Sequence, residues 1–166
     1  MEDLKKFGDS FSLLVIAPIE SLQNEICNII KQFKNIPCIY IALNKPYTTI
    51  ENMLKKQGCK KEDIYFIDCI SSKIKAKNAT FVESPSALTT ISISMTKLLE
   101  KIKGDKLLVV DSLSTFLIYN DINTVARFVS STIQKNKNKL IMFTPKEKDK
   151  TLIEKVGPFF DEIIGL

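Results

Sequence analysis

Short apolar runs alternate with segments of helical periodicity along the whole chain, and this alternation is what most limits its fold. Residues 11–17 (FSLLVIA) form an apolar run that contains one polar residue, Ser12, and is bounded by Ser10 and Pro18. Such runs are typical of strands buried on both faces of a parallel sheet. Similar runs predict strands at residues 38–43, 64–70, 106–110, 140–143 and 162–166.

Between these runs, apolar residues recur three or four positions apart, which predicts helices packed against the sheet. Helices are expected at about residues 19–34, 48–58, 84–102, 122–133 and 151–156. In the third of them, Ser84 and Pro85 have the residue types favoured at the N-cap and at the first helical position. Residues 72–83 are the least decipherable segment, with a short strand predicted at residues 80–82. We therefore expect one α/β domain over residues 1–166, a mostly parallel sheet with helices on both faces in a three-layer αβα arrangement.

Composition excludes several classes of function. The chain has no histidine, which excludes imidazole chemistry, and its cysteines form no CxxC pair, so no metal site is expected. No apolar run reaches the roughly 18 residues of a membrane span, and the first ten residues do not resemble a secretory signal. The expected location is the cytoplasm. Of the four cysteines, Cys38 and Cys69 fall in apolar runs and are predicted to be small core residues.

Open parallel sheets bind ligands beyond the carboxyl ends of their strands, so the residues that follow each strand are the candidates for a site. The fourth strand ends in LLVV and is followed by Asp111 and Ser112. Four apolar residues and an aspartate form the Walker B pattern, in which the carboxylate helps to hold a nucleotide's magnesium. The other candidates in this crevice are Asn44, Lys45, Asp68 and Thr144.

In its order of parts, the chain resembles the RecA/KaiC-like branch of the P-loop ATPases. The segments that carry this resemblance are LLVVDSL at residues 107–113, YFIDCIS at residues 65–71 and the helix that contains Arg127 and Phe128. The resemblance implies a RecA-like sheet in which the fifth strand lies between the first and the fourth. The strand followed by Asn-Lys-Pro-Tyr is also similar to uncharacterised archaeal RecA/KaiC-like proteins that lack a normal Walker A motif.

The phosphate-binding loop of that family, GxxxxGK[ST], is degenerate here. Its glycines let backbone N–H groups surround phosphate, and its lysine neutralises phosphate charge. Here no glycine lies between Gly8 and Gly58, Pro18 lacks an N–H group, and Glu20 brings a negative charge. At roughly 4 Å, that charge would repel each phosphate charge by about 4 kcal/mol. The degenerate positions are Ala17, Pro18, Glu20, Ser21, Leu22, Gln23 and Asn24.

A second departure follows the second strand, where ATPases of this branch carry a glutamate that activates water. This chain has Asn44 and Lys45 there, and neither side chain is a carboxylate base at neutral pH. No catalytic residue and no cofactor is therefore expected.

Three hypotheses for function remain open. The first is a non-hydrolysing domain used for regulation or protein interaction, with a protein partner or as a homo-oligomer. The second is a nucleotide-binding ATPase that holds ATP-Mg by a non-standard route through Lys45 and Ser112. The third is a DNA-associated accessory protein, for which a basic patch would be needed. The candidates for that patch are Lys135, Lys137, Lys139, Lys146, Lys148 and Lys150.

Overall fold

The computed structural model describes residues 3–59, 63–72, 75–147 and 150–166, which form a seven-stranded sheet with helices on both faces. All pairings between these strands are parallel, so the predicted αβα fold class is confirmed. The strands are β1 (Phe11–Ala17), β2 (Cys38–Ala42), β3 (Ile64–Asp68), β4 (Ala79–Phe81), β5 (Leu107–Val110), β6 (Lys139–Pro145) and β7 (Glu162–Gly165). The helices are α1 (Leu22–Gln32), α2 (Tyr47–Lys56), α3 (Leu88–Lys101), α4 (Leu113–Tyr119), α5 (Ile122–Lys135) and α6 (Lys150–Val156).

The strand order is β4-β3-β2-β5-β6-β1-β7. The fifth strand of the sequence prediction, now β6, lies between β1 and β5, which confirms the order that the resemblance implies. Because the strands are parallel, their carboxyl ends meet at one edge of the sheet, which we call the carboxyl edge. The loops that leave β1, β2, β3, β5 and β6 therefore all begin at this edge.

The sheet separates two apolar layers. Alternation along the strands turns Val15 and Tyr40 toward the layer of α1 and α2, and Leu14 and Leu108 toward the layer of α3 to α6. The sequence pattern also predicts burial of Ile16, which is only partly buried. The other predictions of burial are confirmed: Leu14, Val15, Ile39, Ile41, Phe66, Leu108, Val109, Ile141 and Met142.

Several predicted boundaries are wrong for local reasons. Helix α3 begins at Leu88 rather than at Ser84, because the Ser84 hydroxyl accepts the Ser86 N–H (3.1 Å) and stabilises a turn there. The sequence pattern does not predict helix α4, because its seven residues begin almost directly after β5 and no separate loop marks their start. The short strand predicted at residues 80–82 is observed one residue earlier, as β4.

Within the described part of the chain, no helix has the length and apolar character needed to cross a bilayer.

Candidate functional site

A cavity of about 480 Å³ opens at the carboxyl edge, between α1 and α4. Its volume lies in the range of small-ligand pockets, and its position is where open parallel sheets bind ligands. The loops after β2 and β5 supply its polar floor, and α1, α4 and the end of β6 supply its walls. The lining residues are Ile19, Leu22, Gln23, Ile26, Asn44, Lys45, Asp111, Ser112, Ser114, Thr115, Leu117, Ile118 and Pro145.

Asp111 lies in this floor because it directly follows β5. Strand alternation puts its side chain on the same side of the sheet as Val109, toward α1. The side chain is only 4% exposed. Its Oδ1 accepts a hydrogen bond from the Leu43 N–H group at 3.1 Å, which ties the end of β5 to the end of β2.

Burial controls the charge of Asp111. It raises the pKa of this carboxyl from 3.8 to about 7, because desolvation outweighs the lowering by the N–H groups of Leu43 and Asn44, the Lys45 charge and the Tyr40 hydroxyl. Near neutral pH, protonated and ionised forms of Asp111 are therefore both populated. Such a group can donate or accept a hydrogen bond, so it can adapt to a ligand.

Two polar groups beside Asp111 lack hydrogen-bond partners. Tyr40 is completely buried below the floor, and burial followed by the nearby Asp111 charge raises its pKa well above 10. Its hydroxyl lies near both Gln23 and Asp111, yet neither this hydroxyl nor Nε2 of Gln23 completes a hydrogen bond. Both atoms are buried beneath the floor of the cavity, and the Tyr40 hydroxyl interacts with Gln23 and with Asp111.

The other polar residues of the floor hold one another. The hydroxyl oxygens of Ser112 and Ser114 are 3.0 Å apart, and the hydroxyl of Thr115 donates to Oδ1 of Asn44. These contacts connect the start of α4 to the loop after β2, so the floor is a preformed surface.

The loop at the phosphate-binding position is closed on itself. The Pro18 carbonyl accepts hydrogen bonds from the N–H groups of Ser21 (3.1 Å) and Leu22 (2.9 Å), and also from the Ser21 hydroxyl (3.2 Å). The Ile19 N–H group donates to a carboxylate oxygen of Glu147 at 3.2 Å. In a phosphate-binding loop such N–H groups point at the anion. Here they are occupied by the chain itself.

The remaining loop positions are divided between core and surface. Ala17 is the last residue of β1 and is fully buried, and Leu22 packs in the core below α1. Glu20 is exposed, and the exposed Asn24 side chain accepts a hydrogen bond from Gln57. Of the seven degenerate positions, the cavity is lined by Leu22 and Gln23.

Asp68 lies outside the cavity, with its carboxylate fully engaged. It accepts hydrogen bonds from the N–H groups of Tyr47 (2.9 Å), Ile70 (2.8 Å) and Ser71 (2.9 Å), and from the Ser71 hydroxyl (2.7 Å). Burial alone would raise its pKa, but these hydrogen bonds outweigh burial and the pKa falls below 3.8. Asp68 therefore organises two loops and has no lone pair directed at the cavity.

Thr144 is also outside the cavity. It is completely buried near the end of β6, and its hydroxyl has no hydrogen-bond partner. Strand alternation turns it to the face opposite that of its neighbour Pro145, which does line the cavity. The structure thus brings together four of the six predicted crevice residues: Asn44, Lys45, Asp111 and Ser112.

Sequence reasoning missed the contribution of α4 and of Tyr40. Ser112 and Ser114 with the apolar Leu113 and Phe116 form a helix-start pattern that could have revealed α4. Tyr40 carried no signal in the sequence, because its proximity to Asp111 depends on the pairing of β2 with β5.

The lysines considered for a basic patch do not lie on a single surface. Strand β6 has seven residues, so about 20 Å separates the lysines at its start from those beyond its end. Lys139 is buried, and its Nζ donates to the Asp9 carbonyl at 2.9 Å and lies 3.5 Å from the Asp105 carboxylate. Lys148 lies outside the described residues.

The described residues contain no group of three or more histidine, cysteine or acidic side chains that could hold a metal ion. Asp111 is the only acidic residue among those that line the cavity described here. The residues at the phosphate-binding position are poorly suited to a triphosphate with magnesium, because the N–H groups of Ile19, Ser21 and Leu22 are occupied. Gln23 also stands at the position of the family's lysine.

Comparison with known proteins supports the fold. No protein-family model and no curated protein sequence matches the chain. It is similar in structure to PH0250 of Pyrococcus horikoshii OT3, with a TM-score of 0.71 and 12% identity over 99% of this chain and 87% of that one. It is also similar to the uncharacterized protein PH0321 of the same organism, solved in complex with an unknown peptide, with a TM-score of 0.62 and 12% identity over 99% and 82% of the two chains. At this identity the likeness concerns the fold alone.

Proposed function

We propose that this chain is a cytoplasmic, non-hydrolysing domain of RecA/KaiC-like architecture that acts as a regulatory or protein-interaction module. The observation that carries the proposal is the closed loop after β1. Its N–H groups at Ile19, Ser21 and Leu22 are hydrogen-bonded within the chain, so they are not free to bind phosphate. Leu22 belongs to the core, so opening the loop would also expose apolar surface.

The residues that would carry out hydrolysis are also absent from the cavity. Asn44 and Lys45 follow β2, and Asp111 is the single carboxylate among the lining residues. Since its pKa is raised to about 7, it is only partly ionised at neutral pH and is a weaker ligand for magnesium than an ordinary aspartate.

Apolar side chains at the mouth of the cavity support a role in protein interaction. Ile19 is 55% exposed and Ile118 is 71% exposed, and both line the opening. Exposed aliphatic side chains beside a concave polar floor are typical of surfaces that bind other proteins. The structural neighbour PH0321 was solved with an unknown peptide, which is the class of ligand proposed here.

A thermal-shift assay with ATP-Mg tests the proposal. A ligand present at 100 times its dissociation constant stabilises a protein by about 2.7 kcal/mol, which is a shift of several degrees for a domain of this size. We expect millimolar ATP-Mg to raise the Tm by less than about one degree, since three N–H groups of the loop are already bonded within the chain. A shift of about five degrees would contradict the proposal.

Nucleotide binding by a non-standard route is the second candidate, because Lys45 and Ser112 line the same cavity. If ATP-Mg does raise the Tm, a Lys45→Ala variant should lose the shift, whereas a Lys97→Ala variant on the exposed face of α3 should keep it. DNA association has less support, since the lysines named for it are split between opposite edges of the sheet.

A further inference from the structure

Two cysteine thiols meet between α1 and the end of α2. Cys27 lies in the middle of α1, and Cys59 follows the C-terminal end of α2. The Cys27 thiol donates a hydrogen bond to the Cys59 sulfur, and both side chains are buried in the same apolar layer of the protein. Contact between two thiols is the starting geometry that a disulfide needs.

Local backbone structure holds these two cysteines together. Gly58 has a φ of 77°, and the Cys59 N–H group donates to a carbonyl of α2 at 2.9 Å, so the chain turns back over the end of that helix. The Asn24 side chain accepts a hydrogen bond from Gln57. Because Asn24 and Cys27 are three residues apart, they share one face of α1, and this contact holds that face against the segment of Cys59.

The Cys27 thiol also has a cation beside it. Burial raises the pKa of this thiol above 9, because the thiolate is poorly solvated in the core. The Lys31 ammonium, one turn further along α1, opposes this rise through its charge and through a hydrogen bond to the Cys27 sulfur. Lys31 thus favours the thiolate, which is the form of cysteine that reacts with oxidants.

The other two cysteines are not placed to pair with each other. Cys38 and Cys69 lie in different apolar layers, on opposite faces of the sheet. Cys38 is the first residue of β2, whereas Cys69 follows the last residue of the neighbouring β3, so they also lie at opposite ends of their strands. Both therefore serve as controls for the pair between α1 and α2.

We propose that Cys27 and Cys59 form a redox site at which hydrogen peroxide converts the two thiols into a reversible disulfide. The Cys27 thiolate attacks one peroxide oxygen, the O–O bond breaks, and a sulfenic acid forms while the other oxygen leaves as water with the thiol proton. The Cys59 sulfur then displaces the sulfenic hydroxyl group, which takes the second thiol proton and leaves as water. The two sulfurs lose two electrons, and the peroxide gains them.

The disulfide joins two elements that pack on the same face of the sheet. It ties α1 to the end of α2 and closes a loop that contains all of β2 and α2. Ile26, the neighbour of Cys27, lines the cavity at the carboxyl edge, so the cross-link restrains one wall of that cavity. This inference is independent of the proposed function, because it requires no ligand in the cavity.

The test is mass spectrometry of the reduced full chain after treatment with hydrogen peroxide at about pH 8. We expect a loss of about 2 Da, and a peptide map under non-reducing conditions should join Cys27 to Cys59. Dithiothreitol should restore the original mass. The absence of a joined peptide, a disulfide to another cysteine, or oxidation that stops at a sulfinic acid overturns the proposal.

Cysteine variants separate this pair from the remaining thiols. Cys27→Ala and Cys59→Ala should each abolish the mass loss, whereas Cys38→Ala and Cys69→Ala should keep it. Circular dichroism checks that each variant is folded, and the peptide map of the natural chain decides the matter if one is not. A folded Cys27→Ala chain that still loses this mass contradicts the assignment.

A Lys31→Gln variant tests the role of the neighbouring cation. It should slow formation of the disulfide by at least about three-fold, because less thiolate is present. Lys97→Gln on the exposed face of α3 is the matched control and should react at the natural rate. Equal rates for the two variants would show that Lys31 does not activate the Cys27 thiol.

Thermal unfolding shows whether the folded chain accommodates the disulfide. Closure of a loop of this length should raise the Tm of the oxidised chain by at least about five degrees over that of the reduced chain. An unchanged or lower Tm would mean that the cross-link forms only at the expense of the native packing, and it would overturn the redox site.

Discussion

Asp68 and Asp111 stand at corresponding places, where two strands of one sheet reach the same edge, yet their surroundings are opposite. Asp68 accepts three backbone N–H groups and one hydroxyl, and its pKa is lowered despite burial. Asp111 accepts the Leu43 N–H at 3.1 Å and faces a cavity, and burial raises its pKa to about 7. The residues that follow a strand thus decide whether its terminal carboxylate stabilises loops or remains available to a ligand.

The largest effect should come from removing the Asp68 carboxylate. An Asp68→Ala substitution leaves three N–H groups without an acceptor, and each hydrogen bond to a charged group is worth about 1.5–3 kcal/mol. Because these contributions are not additive, we expect the free energy of unfolding to fall by about 3–5 kcal/mol. Urea denaturation at neutral pH measures this loss. The exposed Asp63→Ala control should change stability by less than about 0.5 kcal/mol, and a similarly small effect at Asp68 would refute its structural role.

The second effect is on the pH dependence of stability, to which the two aspartates contribute with opposite sign. The folded state raises the pKa of Asp111 from 3.8 to about 7, so it binds this proton more tightly than the unfolded state does. Its contribution to stability is complete below about pH 4 and is lost as the pH rises toward 7, by up to about 1.4 kcal/mol per pH unit. Asp68 has a lowered pKa, so its contribution is present above about pH 4 and is lost as the pH falls further.

Replacement of Asp111 by asparagine should therefore remove the loss of stability between about pH 4 and 7 and make the variant more stable than the natural chain at pH 8. The asparagine Oδ1 keeps an acceptor for the Leu43 N–H group. Urea titrations across this range measure the slope. If the natural chain and the variant have parallel curves, Asp111 does not titrate in this range and the contrast with Asp68 fails.

The smallest effect is expected at the closed loop after β1. It tests how firmly this loop excludes phosphate, in contrast to the open cavity beside it. A Glu147→Ala substitution releases the exposed Ile19 N–H group and should cost no more than about 1 kcal/mol. ATP-Mg should still raise the Tm of this variant by less than about one degree, because the Pro18 carbonyl continues to hold Ser21 and Leu22. A gain of several degrees would mean that Glu147 alone closes the loop.

Much of the fold was predictable from the sequence, because strands buried on both faces are apolar at most positions. This is why Phe11–Ala17 and the run before Asp111 were recognisable without a structure. The turn at Ser84 was not predictable in the same way. The same serine favours a helix start or a turn, and the choice depends on packing further along the chain.

The site was predictable only in part. Four of its residues were predictable, because they follow strands that end at one edge of the sheet: Asp111, Ser112, Asn44 and Lys45. Tyr40 was not, since only the register that pairs it with Val109 brings its hydroxyl near Asp111. The contrast between Asp68 and Asp111 was also hidden, because both give the same pattern of an apolar run that ends in aspartate.

The contact between Glu147 and the Ile19 N–H group also affects competition with outside anions. A carboxylate held on the same chain occupies its site at an effective concentration on the order of millimolar, whatever the concentration of free solutes around it. An incoming anion must first displace the Glu147 carboxylate from the Ile19 N–H group. Because the carboxylate stays on the same chain, it binds again as soon as the anion leaves. This tethered carboxylate thus adds to the hydrogen bonds of the Pro18 carbonyl in keeping outside anions from the loop.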